Sequence, residues 1–219
     1  SRTVKTALTG KELKLYDDDY PRLTSDRRLK MALDASIFKK HCDEGLISEE
    51  GEYSDTIFDS LVIDSNGLRC RHTETSFEYG VEVTVQDADG NRFSSYWWDA
   101  APMLNDLKIN GCGEVAFKRA ISQTGPARIG SGKYAMVIES EVASRLVTPV
   151  LNALGGYSLQ QKNSFMLDSL GKKVFPQWLS IWDMPVSVGE TGSRLFDSEG
   201  VATKETPIVE NGVVKEYFV

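Results

Sequence analysis

The sequence predicts an α+β fold: an antiparallel β-meander with helices, followed by a β-rich region containing one long helix. Three observations carry this reading. Asn66-Gly67 and Asp89-Gly90 each stand between β-rich runs, and both dipeptides accept the positive φ that tight hairpin turns need. Val81, Val83 and Val85 alternate with Glu82 and Thr84, so one face of that strand is buried and the other wet. RLVTPVLNALGG, residues 145 to 156, spaces its apolar residues as an amphipathic helix does.

Composition is that of a globular chain. Of 219 residues 41% are apolar and 26% charged, enough for a sizeable core and against disorder. Net charge is −7, and the densest basic stretch, Arg27-Arg28-Leu29-Lys30, reads as a solvated helix face. Direct nucleic-acid binding, which needs Lys and Arg against phosphates, is therefore not expected. No segment approaches the roughly 18 consecutive apolar residues of a membrane span, and no signal peptide is visible. Cys42, Cys70 and Cys112 form no C-x-x-C pair and read as reduced thiols, so a cytoplasmic location is expected. The chain opens on SRTVKTALTG and stops at the strand-like KEYFV; it is expected to be a piece of a longer protein.

Residues 11 to 24, polar and carrying Asp17-Asp18-Asp19, read as an extended linker. Ser25 or Asp26 can cap a helix placed at 25 to 43, with Leu29, Leu33, Ile37 and Cys42 near helical spacing. Four strand-like segments follow: Tyr53 to Ile63, Leu68 to Thr75, Phe77 to Gln86 and Phe93 to Trp98. A second helix is predicted over 113 to 123, ended by Gly125-Pro126. Lys133 to Glu139 reads as a short buried strand and the long helix spans 141 to 154. Further strands are expected at 178 to 183, 203 to 210 and 213 to 219. A domain boundary is placed near Gly132, giving regions 1–132 and 133–219.

Self-contained catalytic motifs fail one by one. Gly130-Ser131-Gly132-Lys133 is followed by Tyr134 where a phosphate loop needs Ser or Thr. Asp87-Ala88-Asp89-Gly90 starts like a calcium loop, but Arg92 stands at its glycine position and Trp98 where the bidentate Glu belongs. His41 and His72 are the only histidines, neither with a metal-type ligand at helical spacing, and both read as satisfied surface residues. Tyr96-Trp97-Trp98, alternating along a strand, reads as half core and half interface.

Three blocks then carry a resemblance: ESEVASRLVTPVLNALGG, NSFMLDSLGKKV, and RLFDSEGVATKETPIVENGVVKEY. Together they resemble the TldD/PmbA family, long labelled modulators of DNA gyrase and understood as metallopeptidases. The upstream stretches SNGLRCRHTETSFEYGVEVTV and GEVAFKRAISQTGPARIGSGKYAMVI are similar in order and spacing, so the resemblance covers most of the chain. The family's catalytic branch carries H-E-x-x-x-H on the helix that corresponds to 147–152, completed by a cysteine nearer the C-terminus. Here those positions are Val147, Thr148 and Asn152. Valine cannot ligate zinc, threonine is no base near neutral pH, and a lone Asn amide is a poor ligand.

The resemblance therefore implies the PmbA (TldE) branch, with no metal in this chain and zinc supplied by a TldD-like catalytic subunit. A heterodimer with that subunit, or a homodimer, is the assembly it implies, and unfolded or linear peptides such as leader peptides or labile antitoxins are the substrates. Asp197, Glu199 and Gly200, with the edge from Val201 to Thr206, are the candidate substrate contacts; a tight turn with solvated acids is the plainer reading. The rival class is a non-enzymatic regulatory protein, as the gyrase label has it.

Overall fold

A computed structural model describes residues 10–218. Two compact units emerge among them, the first made of residues 10–128 and 186–203, the second of 129–185 and 204–218.

The first unit is built on a three-stranded antiparallel sheet, β1 (Leu46–Ile63), β2 (Arg69–Gln86) and β3 (Arg92–Ala101), in the order β1-β2-β3. The meander is as expected, with one correction. The segments 68–75 and 77–86 are a single strand, paired with β1 without a break from Arg69 to Thr84. What changes near Thr75 is the buried face. From Phe77 to Val85 the odd-numbered residues are buried, whereas Leu68, Cys70 and His72 are buried on the even face. Strand twist turns a long ribbon's faces along its length, and here each half finds a different cover.

The odd face of the C-terminal half of β2 packs under α3 (Ile109–Ile121): Tyr79, Val81, Val83 and Val85 share a core with Cys112, Ala116, Phe117 and Ala120. This helix starts earlier than its glycines suggest. Gly113 lies against Ile37, whose side chain would meet a Cβ there at 2.9 Å. The even face at the N-terminal end of β2 is covered by Leu195 and Phe196 against Leu68, Cys70 and Val62. On the uncovered face of β3, Tyr96 and Trp98 stack at 6.0 Å, while Trp97 points to the core side beneath Arg119.

The predicted helix over 25–43 is broken in two. Thr24, not Ser25 or Asp26, caps α1 (Ser25–Asp34) by accepting the Arg27 N–H. The chain then turns, and α2 (Phe38–His41) starts afresh because the Glu49 carboxylate on β1 accepts the N–H groups of Ile37 and Phe38 and the Ser36 hydroxyl. A carboxylate at a helix start satisfies donors that no helical carbonyl can reach. Arg28 of α1 makes a bidentate pair with Asp55, whose carboxyl it holds below the usual range. Residues 11–24 are no linker: Leu13 and Leu15 are fully buried, Thr75 donates its N–H to the Leu15 carbonyl, and the Thr75 hydroxyl accepts the Asp17 N–H.

The second unit holds α4 (Ser140–Ala153), α5 (Gly156–Gln160) and a small antiparallel sheet, β4 (Ile181–Asp183), β5 (Thr206–Glu210) and β6 (Val213–Val214). These strands are shorter than the sequence suggests. Lys133 to Glu139 forms no strand, and Met136 and Val137 are 77% and 96% exposed. Its β-rich composition finds no partner strand among the described residues, and pairing rather than propensity decides. The core of this unit is Ala153, Leu154, Met166, Ile208, Val209 and Val214.

His41 is buried, not at the surface. It stacks on Phe117 at 4.3 Å and lies between two carboxylates, Glu44 at 3.1 Å from Nδ1 and Glu114 at 3.1 Å from Nε2. Burial alone would lower its pKa, but hydrogen bonds to Glu114 and Glu44 outweigh this and raise it. A base whose folded pKa is raised adds stability that is complete below its unfolded value and lost as pH rises through the folded one. Unfolding free energy should thus fall as pH rises from about 6.5, and His41→Gln should flatten that slope. Urea titrations of both proteins at several pH values measure it.

Candidate functional site

α4 is anchored at its C-terminal end. The Ser164 hydroxyl donates to the Ala153 carbonyl, the Phe218 N–H to that of Leu154 at 3.0 Å, and Leu154 is fully buried. Toward its middle the helix is open: Leu146 is 59% exposed, and Thr148 and Asn152 face solvent, with Val147 partly buried. The Thr148 hydroxyl is turned back to the Ser144 carbonyl at 2.8 Å. Pro149 is the tenth residue of the helix, so the Arg145 carbonyl lacks its helical donor.

A zinc ion does not fit this set of side chains. Val147 has no donor atom, and the Thr148 hydroxyl is engaged with backbone. Among the described residues no three His, Cys, Asp or Glu side chains lie where they could share a metal ion.

The other predicted site, around Asp197, belongs to the first unit. Asp197 Oδ1 accepts the N–H groups of Glu199 and Val201, each at 2.9 Å, and Gly200 takes a φ of +79°. The two meander hairpins use the same device: Asp64 accepts from Asn66 and Leu68, and Asp87 from Asp89 and Asn91, with glycine fourth in each turn. Such an aspartate is a local backbone clamp. Glu199 is exposed and Gly200 buried against Leu68. Val201 to Thr206 offers no strand edge; Ala202 only bridges to Phe196, and strand structure begins at Thr206.

The turn also borders a feature that the sequence did not reveal. A cleft of about 480 Å³ is lined by Phe58, Ser60 and Val62 of β1, His72 and Glu74 of β2, and Arg194, Phe196, Asp197 and Ser198. His72 is 6% exposed, and its Nε2 lies 3.0 Å from Glu74 Oε2. Since an ionised carboxylate only accepts, Nε2 carries the hydrogen; Nδ1 is buried with no hydrogen-bond partner among the described residues. His72, like His41, is therefore buried rather than superficial. Alternation in β2 places His72 and Glu74 on one face, but nothing in the sequence links them to Arg194.

Residues 131–219 match the PmbA/TldA metallopeptidase C-terminal domain and residues 18–124 its central domain. The chain belongs to the PmbA/TldD metallopeptidase family. It is 28% identical to a metalloprotease PmbA homolog of Haemophilus influenzae, over 98% of this chain and 49% of that protein. It is 25% identical to the metalloprotease PmbA of Escherichia coli O157:H7, over 90% and 44%. The crystal structure of a candidate DNA gyrase modulator from Bacteroides thetaiotaomicron superposes with a TM-score of 0.88 at 32% identity, covering 98% of this chain and 51% of that one. TldE from Thermococcus kodakarensis shares the fold, with a TM-score of 0.71 at 18% identity over 92% and 46%. The chain thus spans about half the length of the relatives it matches.

At Gly200 a Cβ would lie 2.4 Å from Leu68, on a backbone conformation that side chains disfavour. Gly200→Ala should therefore destabilise the first unit by about 2 kcal/mol, read as a lowered denaturation midpoint.

Proposed function

We propose that this chain is a non-catalytic subunit of a cytoplasmic TldD/PmbA-type zinc metallopeptidase complex acting on unfolded or linear peptides. The observation that carries the proposal is the chemistry of α4. Where the catalytic branch has two histidines and a glutamate, this helix presents Val147, Thr148 and Asn152. It can neither hold the metal nor deprotonate a water bound to it. Zinc, when bound in the partner, would supply the hydrolytic nucleophile; this chain's part is to complete the enclosure and contact peptide. The turn at Asp197, Glu199 and Gly200 and the cleft beside it are where that contact is proposed.

The gyrase-modulator name of the Bacteroides thetaiotaomicron relative favours a second reading, a regulatory protein without a role in proteolysis. A net charge of −7 argues against direct engagement of DNA by this chain.

Peptide cleavage by the chain alone, by a TldD-type subunit alone and by their mixture separates the readings. The expected result is cleavage by a co-eluting complex, abolished when the histidines of the TldD-type subunit are replaced by alanine. Cleavage by this chain alone, or a mixture no more active than the TldD-type subunit by itself, would overturn the proposal.

A further inference from the structure

The cleft beside the Asp197 turn has an apolar wall and a charged rim whose groups are unequally engaged. Phe196 forms part of its floor at 4% exposure, Val62 is partly buried, and Phe58 stands 51% exposed at its mouth. Each carboxylate on the rim already has a partner. Glu74 takes the His72 Nε2–H, and Asp197 Oδ1 takes two backbone N–H groups. The cation is different: the Arg194 guanidinium makes no ion pair or hydrogen bond among the described residues, although two carboxylates line the same cleft. The open valence of the site is thus a planar, permanently charged donor fork, which suits a carboxylate bidentately.

We infer that this cleft binds the C-terminal end of a peptide, its α-carboxylate on Arg194 and its last side chain, large and apolar, against Phe58, Val62 and Phe196. Two further groups favour a peptide over a simple fatty acid. The hydroxyls of Ser60 and Ser198 also line the cleft, and no other described residue engages them. Backbone amides have a use for such hydroxyls; an alkyl chain does not. The volume of about 480 Å³ lies within the range of small-ligand pockets, so it suits a chain end rather than a folded partner. His72 stiffens the site from behind, because its ring is buried and fixed to Glu74. Such a site would give the proposed subunit a grip on one end of its peptide, and to that extent rests on the function proposed above.

Fluorescence anisotropy with labelled Gly-Ser-Gly-Leu-Phe tests this on the chain without any catalytic partner. The free acid is compared with its C-terminal amide, and sodium decanoate serves as competitor. The free acid should bind, and the amide about tenfold or more weaker, the usual worth of a charge-assisted hydrogen bond. Arg194→Gln should weaken the acid to the level of the amide and leave the amide unchanged, while Phe58→Ser should weaken both. Equal affinity for acid and amide, displacement by decanoate as efficient as by the unlabelled acid, or no binding by protein with unaltered circular dichroism would each overturn it. Since no TldD-type subunit is present, failure here leaves the cleavage experiment standing, and failure there leaves this one standing.

Discussion

The unbroken pairing of β1 with β2 is the constraint on which the first unit depends. Each strand runs for eighteen residues, and an isolated two-stranded ribbon of that length would have little stability in water. It is held by being covered on opposite faces at its two ends. α3 buries the odd-numbered face from Tyr79 to Val85, and Phe196 with Leu195 buries the even-numbered face at Leu68 and Cys70. The second cover is what brings residues 186–203 back to this unit and sets the Asp197 turn beside His72 and Glu74. The cleft is a by-product of the same change of face.

Local chemistry was legible in the sequence wherever it is closed within a few residues. The hairpins at Asp64–Gly67 and Asp87–Gly90 form where turn chemistry put them, since each aspartate clamps N–H groups two and four residues on. α4 ends where its Gly-Gly pair foretold. Structure set by distant partners was not legible. Glu49 breaks the first helix from 12 residues away, and Leu13 and Leu15 are drawn into the core by a strand some 60 residues on. The change of buried face in β2 reads in sequence as a gap between two strands. Lys133 to Glu139 shows the converse, a strand-like composition that forms no strand. The cleft could not be foreseen because Phe58, His72 and Arg194 have no periodic relation.

The predicted site residues divide accordingly. Asp197 and Gly200 have structural work in the turn, which accounts for their identities without a ligand. The side chain of Arg194, three residues before Asp197, makes no such contact among the described residues, and a single arginine ahead of a turn carries no pattern in the sequence. α4 is the reverse case. Ala153, Leu154 and a partly buried Val150 at its end join the core, and its open middle holds Val147, Thr148 and Asn152, which the proposed function sets against the zinc motif of the catalytic branch.

The incapacity of α4 for metal is the claim on which the functional account turns. Zinc content by elemental mass spectrometry, on the chain saturated with zinc and then desalted, tests it most directly. The account predicts a content far below one ion per chain, unchanged by Asn152→Ala. Stoichiometric zinc that survives desalting and is lost with Asn152→Ala would contradict it.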